Sequence, residues 1–244
     1  MGVPGLDAML GGGLPRGYSL LVAGPSGSGK SILASAFLAE GARNGDTGVI
    51  AAFEQRPTES RGTAIVELIA SGRVGVVDTR ALNLSVDEIA ALLITEIRRL
   101  KATRVVIDSL SGFELALAPT FRDDFRESMS RMMAALASTG VTVLITSELE
   151  DRYVDLRFSP FGTAFLTDAI IVQRYIEVDS KFQRVMGVVK VRASAHSNEL
   201  RLFKIDETGI RLGERCSPTM KVFWAGVPRE SQLDFIPTAT QQRP

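Results

Sequence analysis

The chain has little with which to cross-link itself or hold a transition metal: one cysteine, Cys216, and one histidine, His196, in 244 residues. A lone thiol excludes an intrachain disulfide, a zinc ribbon and any cysteine-rich cluster, so a reducing, cytoplasmic setting is expected. An excess of either charge is missing too, with 28 Lys and Arg against 28 Asp and Glu. The surface as a whole therefore lacks the positive field on which non-specific nucleic-acid binding rests, and a nucleic-acid partner is not expected. No window approaches the roughly 18 apolar residues of a membrane span. The opening Met1-Gly2-Val3-Pro4-Gly5 has neither the basic flank nor the apolar stretch of an export signal, so neither insertion nor export is expected. What is present is an ordinary globular composition, 45% hydrophobic and 23% charged, without internal repeats or low-complexity tracts. Residues 1–227 read as one domain, and residues 228–244, with Pro237 and a polar end, as a mobile tail.

Apolar runs and amphipathic segments alternate along the first two thirds. Tyr18 to Ala23, Gly48 to Phe53, Val74 to Asp78, Arg104 to Asp108 and Val141 to Thr146 are short, β-branched and apolar, as strands buried on both faces should be. Between them, Lys30 to Ala42, Pro57 to Ala70, a segment after Ser85 and Asp123 to Ala137 carry helical spacing. Ser85 and Glu88 form a capping-box pair ahead of Val86, Ile89, Leu93 and Ile97. This rhythm predicts a parallel sheet flanked by helices. From Asp168 it changes: Asp168 to Tyr175, Arg184 to Val191 and Leu200 to Ile205 are strand-like with short polar links, which predicts an antiparallel extension. The fold class is α/β.

Gly24-Pro25-Ser26-Gly27-Ser28-Gly29-Lys30-Ser31 matches G-x-x-x-x-G-K-[ST] between a predicted strand and a predicted helix. Glycines let successive N–H groups turn towards an anion and the helix start adds its dipole. Lys30 reaches β- and γ-phosphates, and Ser31 supplies a ligand to Mg²⁺. A nucleoside triphosphate with Mg²⁺ is the expected ligand pair. A second metal ligand belongs at a strand tip, and Asp108 closes an apolar run. Hydrolysis further needs a group that handles the attacking water; Glu54 is the candidate general base, with the neighbouring Gln55 able only to position water. Lys190 and Arg192, two apart in a strand with Ser194 beyond, project from one face while Val189, Val191 and Ala193 project from the other. On spacing alone that cation pair is equally a phosphate-neutralising finger or a solvated strand face.

Taken together these residues resemble one RecA-type domain of the KaiC family of ATPases. The resemblance runs from residue 1 to about 212. It is carried by Gly5-Leu6-Asp7 with Gly11-Gly12-Gly13-Leu14-Pro15-Arg16-Gly17, the phosphate loop, Phe53-Glu54-Gln55 and Val105-Val106-Ile107-Asp108-Ser109. Thr146-Ser147-Glu148, Thr167-Asp168, Lys190-Val191-Arg192 with Ser194, His196 and Ser197, and Thr208-Gly209-Ile210 complete it. It implies a RecA-like P-loop sheet in which Val141 to Thr146 lies between the strands bearing the phosphate loop and Asp108. It also implies a hexameric ring with ATP at each interface, where Lys190 and Arg192 act on a neighbour's nucleotide and Ser194, His196 and Ser197 sit nearby; a further protein partner is left open. Two departures stand out. The family often has two adjacent glutamates where this chain has Glu54-Gln55. Clock-type members accept phosphate on a Ser and a Thr just before Thr-Asp, where this chain has Ala164-Phe165-Leu166, so serine/threonine autokinase activity could use only displaced hydroxyls such as Ser159 or Thr163. Interface ATP hydrolysis is the leading function, against a regulatory ATP-binding module with negligible hydrolysis and, last, a RecA-like DNA recombinase or helicase.

Overall fold

A computed structural model of the chain describes residues 1–53, 64–78, 85–116, 125–149, 166–178, 181–216 and 223–224. Glu54, Gln55, Ser159, Thr163, the first turns expected of the 57–70 helix and the tail 228–244 lie outside the described residues. The elements in chain order are α1 (Leu6–Met9), β1 (Ser19–Gly24), α2 (Lys30–Arg43), β2 (Gly48–Ala52), α3 (Ala64–Ala70), β3 (Val74–Asp78), α4 (Val86–Leu100) and β4 (Arg104–Asp108). They continue with α5 (Leu110–Ala116), α6 (Phe125–Ser138), β5 (Thr142–Glu148), β6 (Ala169–Val178), β7 (Lys181–Val191), β8 (Arg201–Asp206), β9 (Gly209–Arg215) and β10 (Phe223–Trp224).

The strands form one sheet in the order β3-β2-β4-β5-β1-β6-β7-β8-β9, with β10 against β6. Pairing is parallel from β3 through β6 and antiparallel from β6 onward. β5 does sit between β4 and β1, as the resemblance implied. Successive residues of the central strands feed opposite cores. Leu21, Ala23, Val105, Ile107, Val143 and Ile145 pack with side chains of α4, α5 and α6. Leu20, Val22, Val106, Leu144 and Ile171 pack with α1, α2 and α3. Burial on both faces is why these runs read as continuous rather than alternating. Each fully buried Leu or Ile contributes about 1.5–3 kcal/mol.

The capping box is formed as expected: Ser85 Oγ accepts from the Glu88 N–H, and the Glu88 carboxylate accepts from the Ser85 N–H at 2.7 Å. Sequence reasoning missed α1, α5, β9 and β10. α5 follows β4 with almost no connector; its start is marked by Ser109, whose Oγ accepts from the Gly112 N–H at 3.1 Å. That N-cap signal was legible, but it stood next to a candidate metal ligand and was read only as part of that motif. Among the described residues no helix is long and apolar enough to cross a membrane.

Candidate functional site

β1 ends at Gly24 and α2 begins at Lys30, so the glycine loop spans the carboxyl end of a central parallel strand and a helix start. Gly27 and Gly29 both have left-handed φ, +73° and +104°. That conformation turns N–H groups towards the loop's concave side, at little steric cost only for glycine. At Gly29 a side chain is also excluded by space, because a Cβ would lie 2.6 Å from Ile205 Cδ1. Lys30 Nζ donates to the carbonyls of Gly24 at 2.9 Å and Pro25 at 2.8 Å. It is thus folded back over the loop at the place a phosphate would occupy.

The loop forms one wall of a cleft of about 440 Å³, in which Ser26, Gly27, Gly29, Lys30 and Ser31 face Asp108, Ser109 and Glu148. Ser31 and Asp108 therefore share one cavity, as two ligands of one Mg²⁺ must. The Thr146 hydroxyl, from a fully buried residue of β5, donates to Asp108 Oδ1 and fixes the rotamer of the carboxylate from the core side. β2 delivers the next residue: the Phe53 N–H donates to the Asp108 carbonyl at 3.1 Å, and the Phe53 ring stacks on Phe113 at 4.5 Å. Glu54 itself lies outside the described residues, but its predecessor is anchored beside Asp108. Glu148, quoted above without a role, is a second carboxylate in the cleft wall. The N–H of Leu149, which follows it, donates to the Gly24 carbonyl at 3.1 Å.

The remaining site residues are gathered elsewhere. Lys190 Nζ donates to the Thr167 carbonyl. Arg192 pairs with Asp168 at 3.1 Å, and that carboxylate also accepts from the N–H and Oγ of Ser19 at 3.0 and 2.9 Å. Ser19 starts β1 whereas the glycine loop follows its end, so at about 3.3 Å per residue the cations sit roughly 17 Å along the strand from their own loop. Burial, and then the neighbouring Arg192 guanidinium, push the Lys190 ammonium below the usual lysine range, with Asp168 pulling the other way.

The expected strict alternation fails here. A register shift between Ile170 and Ile171 pairs Lys190 with Ile170 but Val188 with Ile171, leaving Val189 bulged and 40% exposed. β7 then stops at Val191, and Ala193 takes φ +55°, so Ser194 does not continue the cationic face and Ala193 does not project opposite it. Ser194, His196 and Ser197 lie instead on a loop held against the N-terminal segment. The Ser197 N–H donates to the Met9 carbonyl at 2.9 Å, and a Cβ on Gly11 would lie 2.0 Å from the Ala195 carbonyl oxygen. The described residues thus split into a phosphate-loop group and a cationic group at the other end of β1.

The model of the KaiC ATPase family matches residues 1–217. The chain is 31% identical to the circadian clock protein KaiC3 of Synechocystis over 86% of its own length and 44% of the relative. It is 25% identical to the circadian clock oscillator protein KaiC of Prochlorococcus marinus strain MIT 9313 over 93% of itself and 46% of that protein. The chain therefore spans less than half the length of these clock relatives. A crystal structure of a KaiC-like protein from Pyrococcus horikoshii superposes with a TM-score of 0.77 at 27% identity, covering 87% of this chain and 97% of that one. Phosphate-loop motif, strand-tip carboxylate, strand order and family match coincide over one continuous stretch, and the chain belongs to the KaiC family of ATPases.

Proposed function

We propose that the chain hydrolyses ATP, with Mg²⁺, at an interface between two copies of itself. The observation that carries this reading is that Lys190 and Arg192 are held at the Ser19 end of β1, about 17 Å along the strand from the chain's own glycine loop. Cations so placed serve a phosphate only if it belongs to a neighbour. In such an assembly the glycine loop and the start of α2 bind the polyphosphate, and Lys30 leaves the Gly24 and Pro25 carbonyls for the β- and γ-oxygens. Ser31 and Asp108 hold Mg²⁺, which when bound neutralises charge on the β- and γ-phosphates. Glu54 accepts a proton from the water whose oxygen attacks the γ-phosphorus as its bond to the β–γ bridging oxygen breaks, releasing ADP and phosphate. The neighbour's Lys190 and Arg192 neutralise the oxygens of the transferred group. Ser194, His196 and Ser197 border the same nucleotide from the neighbour's side. A hexameric ring is the closed assembly we propose, in the cytoplasm and without nucleic acid. Autophosphorylation at the clock-type positions is not part of the proposal, since Ala164, Phe165 and Leu166 carry no hydroxyl.

ADP release under saturating Mg-ATP tests the assignment. Turnover in the unaltered chain, abolished in both Lys30→Ala and Glu54→Gln, is the expected result. Turnover that survives in Glu54→Gln removes Glu54 as the base. Tight ATP binding with no turnover in the unaltered chain leaves the regulatory ATP-binding reading, which the amide of Gln55 favours.

A further inference from the structure

Beneath the glycine loop lies a polar contact that the hydrolytic chemistry does not use. In β6 the buried run Ala169, Ile170, Ile171, Val172 is apolar, as a strand between two other strands should be, and then Gln173 follows with no solvent exposure at all. Its Oε1 accepts from Ser28 Oγ at 3.0 Å, and Ser28 is likewise fully buried. Its Nε2 has no hydrogen-bond partner among the described residues. An orphaned buried amide donor destabilises the fold, so apolar side chains in place of the whole Gln173–Ser28 pair would serve stability better.

The contact falls where it governs the loop. Ser28 stands between the two left-handed glycines, Gly27 and Gly29, and its N–H donates to the Pro25 carbonyl at 3.2 Å. The backbone of the same residue leaves no room for a side chain at Gly24, where a Cβ would lie 2.9 Å from the Gln173 carbonyl oxygen and 3.0 Å from its Cβ. Gln173 thus holds the loop at its middle and adjoins it at its first residue. Both flanking glycines are conformationally permissive, so the anchored Ser28 side chain decides which way their N–H groups face.

We propose that Gln173 is a positioning residue for nucleotide binding: through Ser28 it holds the glycine loop in its phosphate-cradling shape before nucleotide arrives, at a cost in stability. The proposal rests on the ATP-site reading above. Titration of Mg-ADP into the unaltered chain and into Gln173→Leu, Ser28→Ala and the double variant tests it, with thermal unfolding followed on the same samples. One neutral hydrogen bond predicts that each single variant weakens ADP binding about three- to tenfold, and that the double variant is no weaker than the worse single. The Tm of the double variant, in which neither buried group is left without a partner, should equal or exceed that of the unaltered chain, and Ser28→Thr, which keeps the hydroxyl, should restore affinity. In turnover the loss should fall in KM for ATP. Unchanged affinity in both single variants overturns the proposal, as do losses that multiply in the double variant. Should Gln173→Leu fail to fold, Ser28→Ala against Ser28→Thr still decides it. Absence of ADP and ATP binding by the unaltered chain overturns the nucleotide-site reading itself, an outcome distinct from equal affinities among binding variants.

Discussion

Arg192 is the residue at which an isolated chain and a working assembly would differ most. Here its guanidinium pairs with Asp168, and its side chain is 60% exposed. An exposed pair of this kind contributes about 0–1 kcal/mol, so exchange for a neighbour's phosphate costs little. Arg192→Ala should therefore leave folding and nucleotide binding nearly intact and lower turnover by 10²-fold or more, within the about 10³–10⁵ known for arginine fingers or just below it. Mixing Arg192→Ala with Lys30→Ala chains distinguishes action between chains from action within one. Hybrid interfaces pair an intact loop with an intact finger, so partial recovery of ADP release is expected; no recovery at any ratio would count against action across the interface. Asp108, by contrast, is set by its own chain, held by Thr146 from the core side.

At the scale of elements, α4 shows how local sequence and tertiary packing divide the work. Ser85 and Glu88 close its first turn, and Val86, Ile89, Leu93 and Ile97 bury one stripe against the sheet. Ser85→Ala should cost about 1 kcal/mol, read as a Tm lower by about 2–4 °C. The Ser85 N–H and then its hydroxyl hold the Glu88 carboxyl below the usual carboxylate range. A carboxyl so lowered stabilises the fold above its ordinary pKa and loses that contribution as pH falls through the depressed value. The Tm difference between the unaltered chain and Glu88→Ala should thus be full at pH 7 and shrink towards about pH 3. A difference that stays constant across that range would show that Glu88 acts there through something other than its charge.

For the whole molecule, the two halves of the proposed site lie at opposite ends of one strand, a geometry that a head-to-tail assembly completes and a monomer does not. Heterologous contacts of this kind close into rings when the rotation per subunit divides a full turn. Light scattering of the unaltered chain should show a larger closed species with Mg-ATP than without nucleotide, and Lys30→Ala should not make that shift. A chain that binds Mg-ATP yet stays monomeric at every concentration would contradict the interface reading while leaving the phosphate loop in place.

The sequence alone determined what depends on local chemistry and spacing. The glycine loop, Asp108 at a strand tip and the capping box are short, contiguous patterns, and the parallel-then-antiparallel order follows from periodicity. The helices α1 and α5 escaped because each is a turn or two long, too short for periodicity to register. The bulge before Lys190 escaped because an extra residue in a strand leaves no mark on alternation until pairing partners are known. The contacts of Thr146 and Gln173 were not legible: one closes a β-branched run and opens a motif of the resemblance, and the other is a polar residue in a strand. Their roles exist only because β5 lies beside β4 and β6 beside β1, which brings a hydroxyl to Asp108 and an amide to Ser28 from positions 38 and 145 residues away in the chain. Tertiary structure alone decided that the cationic pair faces away from its own phosphate loop, because distance along a strand is set by which end of β1 each segment meets.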